Sequence, residues 1–286
     1  MAELKAAQSI DEIRAVVRAA RREAKSIGFV PTMGALHQGH AALIKRAAAE
    51  CQHVVVSIFV NPTQFGPNED LAAYPRTPDE DAQVIYDAGG SSVFFPTVEM
   101  MYPRGYRTYV DVEGLTEHLC GASRPNHFRG VTTIVAKLFN IVAPDKAFFG
   151  RKDFQQATVL RRMARDLNMP VEVVVCPTVR ETDGLALSSR NRYLNESQRA
   201  QALCLVGALD AARKAYAKGE RTSAELKRIA RGIIELQPDA RVDYVEVVDA
   251  ESVQPVDHAS DDSVMALAVF MGTARLIDNA SMIGER

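Results

Sequence analysis

Apolar residues along this chain alternate between two rhythms. Ile10, Ile13, Val16, Val17 and Ala20 fall at helical spacing behind a Ser9/Glu12 pair with the form of a capping box, so a first helix is expected from about Ser9. Residues 26–31 form a short apolar run that Pro31 is expected to stop, and residues 41–50 resume a helical period through Leu43, Ile44 and Ala47. Residues 53–60 are an almost unbroken β-branched run, the composition of a strand buried on both faces of a parallel sheet. A Pro- and Gly-punctuated loop at 61–74 leads to a helix with Thr77 as cap, Pro78 at its first position and Glu80 closing a second capping box; Gly89-Gly90 ends it. Strands are expected at 92–95, 107–112, 147–149 and 171–176, the last of buried type, with a polar loop at 121–130. Helices are expected at 131–142 and 154–167, the second with Arg161, Arg162 and Arg165 on its wet side. Strand and helix alternating in this way predict an α/β domain over residues 1–180, a doubly wound, mostly parallel sheet with sites at strand carboxyl ends.

After Pro177 the pattern changes. Helical periods at 196–217 and 223–236 precede strands at 242–248, 264–271 and 274–278 with no helix between them, the last two joined by the hairpin-like Met271-Gly272-Thr273-Ala274. A smaller C-terminal α+β domain is therefore expected over residues 181–286, with the boundary within 178–183. The length of 286 residues suits two domains at roughly 150 residues each.

A formal net charge of −2 leaves no positive excess for a nucleic-acid surface, which points to small-molecule partners. Cys51, Cys120, Cys176 and Cys204 are scattered without C-x-x-C spacing and read as reduced core residues rather than a zinc or redox site. Glu3 and Lys5 interrupt the start of the chain, and no window approaches the ~18 apolar residues of a membrane span, so a cytoplasmic protein away from the membrane is expected.

The densest chemistry lies in Val30-Pro31-Thr32-Met33-Gly34-Ala35-Leu36-His37-Gln38-Gly39-His40, where an expected strand hands over to a helix. Unpaired amides and the helix dipole at such a junction favour an anion. The stretch is neither a Walker loop nor a Gly-x-Gly-x-x-Gly turn. Spacing alone leaves His37 and His40 open to reading as a metal pair or as ordinary helix-start residues. Two further loops suit anions: Gly150-Arg151-Lys152-Asp153, again between strand and helix, and Ser188-Ser189-Arg190 with its hydroxyls and guanidinium. Gln64, in Asn61-Pro62-Thr63-Gln64-Phe65, and Gln155-Gln156 offer neutral amides able to orient a carboxylate without neutralising it. Asp79-Glu80-Asp81 needs no explanation beyond the dipole of the helix it opens.

Taken with Tyr74-Pro75-Arg76-Thr77, His127-Phe128-Arg129-Gly130, Asp183-Gly184-Leu185-Ala186-Leu187-Ser188-Ser189-Arg190-Asn191 and the ending Arg275-Leu276-Ile277-Asp278-Asn279, these motifs resemble the pantothenate synthetases, members of the HIGH-type nucleotidyltransferase superfamily. The resemblance runs over nearly the whole chain and is densest from Val30 to Leu194. It implies a Rossmann-like ATP- and pantoate-binding domain, a C-terminal lid domain, and a cytoplasmic homodimer that uses magnesium. It also implies an ATP-dependent ligase that joins pantoate to β-alanine through a pantoyl-adenylate, giving pantothenate, AMP and pyrophosphate.

Residue by residue, the resemblance assigns ATP contacts to Pro31, Thr32, Met33, Gly34, His37, Gly39 and His40. Gly150 and Asp153 would meet the ribose, Lys152 the phosphates, and Val179 the adenine side. Ser188, Ser189 and Arg190 would belong to a mobile loop closing on the triphosphate, and Leu187 would be a further ATP contact. His40, His37, Lys152, Ser188, Ser189 and Arg190 are the catalytic candidates, and Met33, Gln64, Gln156, Asn61 and Phe59 the substrate contacts. Arg151 departs from the family pattern and receives no role, and no protein ligand to the metal is assigned. A phosphate-substrate relative would need a further cationic pocket where Gln64 and Gln156 are neutral, and a non-catalytic ATP sensor would be expected to lack His40, Lys152 or the Ser188-Ser189-Arg190 set.

Overall fold

The computed structural model describes residues 4–67, 69 and 71–284, so Glu3 and positions 68 and 70 of the 61–74 loop lie outside it. The chain forms two compact units. One comprises Met1–Val112, Arg124–Arg151 and Val159–Cys176, and the other Glu113–Ser123, Lys152–Thr158 and Pro177–Arg286.

The first unit is built on a six-stranded sheet: β1 (Lys5–Ala7), β2 (Ile27–Thr32), β3 (His53–Ile58), β4 (Ser92–Phe94), β5 (Lys146–Gly150) and β6 (Glu172–Cys176). Every pairing is parallel and the order is β1-β4-β3-β2-β5-β6, the doubly wound arrangement that the alternation predicts. The chain builds outward from β2 first through β3 and β4 and then through β5 and β6. The switch point of the sheet therefore lies at the carboxyl ends of β2 and β5, where such sheets bind ligands. Helices α1 (Ile10–Arg22), α2 (Gln38–Glu50) and α3 (Pro78–Asp87), the single turn α4 (Val98–Met101) and, later, α6 (His127–Val142) connect the strands, α5 (Cys120–Ser123) falling in the second unit. Val30, Ile44, Val54, Val56, Ile85 and Phe148 form part of one buried cluster between strands and helices.

Ser9 caps α1 by accepting the Glu12 amide, while Glu12 reaches back to the Gln8 amide. Several expectations are corrected. The strand does not stop at Pro31 but continues to Thr32: pairing with β5 ends at Phe29, so at Pro31 β2 has a ladder only on its β3 side. Thr77 does not close a capping box with Glu80; its hydroxyl donates to Asp81 instead. Residues 107–112 form no strand, because the Val110 amide and carbonyl are taken by the hydroxyls of Thr133 and Thr132 on α6. Residues 121–130 are not a loop: α5 occupies their start, and α6 begins at His127. β6 is an edge strand with Val175 exposed rather than a strand of buried type, and β1, too short to carry a pattern, went unforeseen.

The second unit holds the first residues of α7 (Phe154–Asp166), which passes into the first unit from Val159, together with α8 (Glu196–Gln201), α9 (Cys204–Ala217), α10 (Ser223–Ile234) and an antiparallel sheet of β7 (Ala240–Asp249), β8 (Ser263–Met271) and β9 (Ala274–Ser281) in that order. The expected long helix at 196–217 is broken where Leu203 and Leu205 bond three residues back. Gly272, at φ 59°, turns β8 into β9 over the Gly272-Thr273 link. Leu205, Leu209, Leu226, Ile234, Leu267 and Val269 are among the residues of its core. All four cysteines are buried and free.

Candidate active site

In the first unit, the histidine loop leaves β2 at the switch point. His37 is the N-cap of α2 in extended backbone (φ −134°), which lets its ring turn back over the first helical turn. Its Nδ1 accepts the Gly39 amide at 3.1 Å, and Nδ1 of His40 accepts the His37 amide at 3.3 Å. This is a capping box made of two imidazoles. A ring nitrogen that accepts an N–H carries no proton, so the neutral form of each ring is protonated at Nε2. The rings lie 4.2 Å apart between centroids. In that form each ring carries an N–H at Nε2, a donor suited to an anion. Among the described residues no group of three or more His, Cys, Asp and Glu is placed to hold a metal ion.

The loop's own amides differ from expectation. Gly34 N–H goes to Thr32 Oγ1, and those of Ala35, Leu36, His37 and Gly39 also have internal partners. These five amides are thus already bonded within the protein. The residue that fixes the loop is Asp81, only 2 % exposed, whose two oxygens accept the amides of Ala35 at 3.0 Å and Leu36 at 2.7 Å. Gly34 (φ +86°) and Ala35 (φ +51°) both adopt left-handed backbone, and a side chain on Gly34 would stand 3.0 Å from Asp81 Oδ2. The helix dipole alone therefore does not account for Asp81. Its position four residues before Ile85, on the apolar face of α3, is the signal that marks it as buried.

Gln64 lies in a 3-10 turn, Pro62–Gln64, after β3. Its Oε1 accepts from Asn61 at 3.0 Å and its Nε2 lies 3.2 Å from Met33 Sδ, which brings Met33 and Gln64 into contact. Phe59 and Asn61 are buried beneath them, at 5 % and 1 % exposure. Around the Gln64 carbonyl, Arg124 and His127 converge, and Arg124 forms a forked pair with Glu69 at 2.6 Å through both nitrogens. Burial alone would raise the Glu69 carboxyl, but the Arg124 hydrogen bonds and charge outweigh it and hold it below its ordinary value.

In the second unit, Lys152 and Asp153 sit in a 3-10 turn, Arg151–Asp153, that opens α7, with Lys152 Nζ 3.8 Å from the Asp153 carboxylate. Asn279 on β9 donates to the Lys152 carbonyl at 3.0 Å. Its neighbour Asp278, 3 % exposed, takes a forked pair from Arg180 at 2.6 and 2.9 Å. Arg180 begins a small hairpin in which Leu187 bonds back to Val179 and Gly184 turns at φ +98°. Ser188 then caps the 3-10 turn Ser189–Tyr193 by accepting the Arg190 amide. A cavity of about 10 Å³, the size of one water, has Lys152, Ser188 and Asp278 in its wall, so the lysine and serine loops meet. Gln155 and Gln156 part company: Gln155 is buried and binds the carbonyls of Leu115 and His118 and the amide of Cys120, whereas Gln156 is half-exposed.

A family model described as pantoate-beta-alanine ligase matches residues 5–281. Among curated relatives, the pantothenate synthetase of Pelotomaculum thermopropionicum is 56% identical over 272 residues, covering 95% of this chain and 96% of the relative. That of Geobacter sulfurreducens is 53% identical over 277 residues, covering 97% and 98%. A crystal structure of pantothenate synthetase from Thermus thermophilus superposes with a TM-score of 0.92 at 46% identity over 98% of this chain and 99% of that one. The pantoate-beta-alanine ligase of Francisella tularensis, complexed with beta-gamma ATP and beta-alanine, gives a TM-score of 0.79 at 31% identity over 99% of each chain. With a doubly wound sheet, a histidine-capped helix at its switch point and likeness from end to end, this chain belongs to the pantoate–β-alanine ligase family.

Proposed function

We propose that this chain joins pantoate to β-alanine with ATP, giving pantothenate, AMP and pyrophosphate through a pantoyl-adenylate. The observation that carries the reading is the reciprocal histidine cap, which sets Nε2–H donors at the switch point of the sheet. In the first step a pantoate carboxylate oxygen bonds to the α-phosphorus and the bond to pyrophosphate breaks, building negative charge on the nonbridging and departing oxygens. His40 and His37, with Lys152, Ser188, Ser189 and Arg190, are the groups proposed to meet that charge. Pro31, Thr32, Met33, Gly34 and Gly39 would line the nucleotide, with Gly150 and Asp153 at its ribose, Val179 on its adenine side and Leu187 a further contact. In the second step the β-alanine amine attacks the acyl carbon, AMP leaves, and the nitrogen gives up its proton.

Met33, Gln64 and Gln156 are proposed to hold pantoate over Phe59 and Asn61. Neutral amides orient its carboxylate and leave it nucleophilic. Magnesium would enter on the triphosphate and be held chiefly by phosphate oxygens and water. Residues 1–180 are read as the ATP- and pantoate-binding domain and residues 181–286 as a lid that shields the adenylate from water. Family resemblance supports a cytoplasmic homodimer, and no helix of the described residues is long and apolar enough to cross a membrane. The test is product analysis: purified protein with pantoate, β-alanine and Mg-ATP yields pantothenate and AMP in equal amounts, and ADP in place of AMP would reject the reading.

A further inference from the structure

Asn61 has no hydrogen-bonding capacity left for a ligand. Its Nδ2 donates to the Gly130 carbonyl at 3.2 Å and to Gln64 Oε1 at 3.0 Å, and its Oδ1 accepts from Tyr102 at 2.7 Å and from Thr63 at 3.0 Å. Two donated and two accepted bonds exhaust a primary amide. The direction of the whole set is fixed at one end by chemistry that cannot reverse. A backbone carbonyl only accepts, so the Asn61 atom facing Gly130 is its nitrogen, and the atom facing Tyr102 is its oxygen. Burial is the largest influence on Tyr102 and pushes its phenol up to about 12, so it remains a donor throughout the neutral range.

The polarity passes on to Gln64. Because Asn61 presents an N–H, Gln64 turns its oxygen inward, and its NH2 faces the other way, toward Met33 Sδ at 3.2 Å. A thioether is a weak acceptor, and the second N–H has no partner among the described residues. The approach that allows this depends on Gly130: a Cβ there would lie 2.5 Å from the Thr63 carbonyl oxygen and 2.7 Å from the Gln64 nitrogen. α6 can bring its Gly130 carbonyl to Asn61 only without a side chain at that position.

We propose that Gly130, Tyr102 and Asn61 are positioning residues that lock Gln64 as a hydrogen-bond donor, so that the pocket accepts an oxygen of the acid substrate and rejects a donor at that point. This rests on the pantoate-binding reading of Gln64. Tyr102→Phe removes one donor to Asn61 while keeping the ring. Asn61→Asp replaces the N–H facing Gln64 with an acceptor and turns the Gln64 amide around, so its oxygen meets the substrate.

The experiment is a double-mutant cycle: kcat/KM for pantoate and for ATP, with melting temperature, for Tyr102→Phe and Asn61→Asp, each alone and with Gln64→Ala. Losing one oriented hydrogen bond predicts a ~5–10-fold loss in kcat/KM for pantoate with Tyr102→Phe. A ~100-fold loss is expected with Asn61→Asp, since a bond is both lost and opposed. In both, kcat/KM for ATP falls less than that for pantoate, because Gln64 reaches the nucleotide side only through the weak Met33 Sδ contact. In the Gln64→Ala background neither change lowers the pantoate value further. Equal losses with and without Gln64 would overturn the inference by revealing a merely structural role, as would unchanged pantoate values in Tyr102→Phe. Absence of any pantoate dependence in the unaltered protein would instead overturn the underlying reading of the site.

Discussion

Asp81 holds the Leu36 amide at 2.7 Å across 45 positions of chain, and with the Ala35 amide on its other oxygen it sets the path by which the histidine loop leaves β2. Asp81→Asn retains the shape but opposes one N–H with another inside a dry site. Breaking a charge-assisted buried bond in this way costs about 2–3 kcal/mol. Melting temperature is expected to fall, and ATP–pyrophosphate exchange to drop ~10-fold or more as His37 and His40 lose their register. Unchanged exchange in a folded Asp81→Asn protein would free the loop from this residue.

The charged groups proposed for adenylyl transfer make a stricter demand. His40→Ala and Lys152→Ala each remove a donor to the developing charge and should slow pantoyl-adenylate formation by at least ~100-fold. Rapid-quench single-turnover assays read this step without interference from product release. Near-normal adenylate formation by a folded variant would exclude that residue from the role.

Asp278 serves the second unit as Asp81 serves the first. Its carboxylate is buried in a forked pair with Arg180, and Asn279 beside it holds the Lys152 carbonyl. Asp278→Ala removes the buried carboxylate of the forked pair with Arg180 and is expected to cost about 3 kcal/mol, the low end for a broken buried pair because the arginine is partly exposed. The KM for ATP should rise with that for pantoate little changed. Steady-state kinetics and calorimetric melting distinguish this from general loss of fold.

Acid should loosen the Gln64 turn. The Glu69 carboxyl is held below its ordinary 4.5 by Arg124, overcoming a burial effect of opposite sign. A depressed folded-state value contributes stability that is present above 4.5 and lost as pH falls through the folded-state value. Unfolding measured from pH 7 downward should therefore show Glu69→Gln losing its disadvantage in the acid range below the ordinary carboxyl value. A constant difference between the two proteins across that range would contradict the linkage.

Much of the fold was legible in the sequence because its signals were local. The β-branched run of β3, the Ser9 cap and the meander after α10 each follow from residue types within a few positions. Residues 107–112 misled because their β-type composition is real, while the bonds of Val110 are satisfied by two threonines on α6, more than twenty residues away. The histidine, lysine and serine loops were visible as motifs, but the residues that orient them were not. Asp81 shares the composition of an acidic first turn and is set apart only by its spacing from Ile85, and Tyr102 and Gly130 take their meaning from Asn61, which only the folded chain brings between them. The tautomer of His37 and His40 likewise emerges from reciprocal backbone bonds that the spacing does not specify.

The most direct test of the central claim is exchange of labelled pyrophosphate into ATP by the purified protein, with and without pantoate, followed by addition of β-alanine. The account predicts exchange only when pantoate is present, then release of AMP and pantothenate once β-alanine is added. Exchange that proceeds without pantoate, or pantoate-dependent exchange that β-alanine does not convert to AMP and pantothenate, would contradict it.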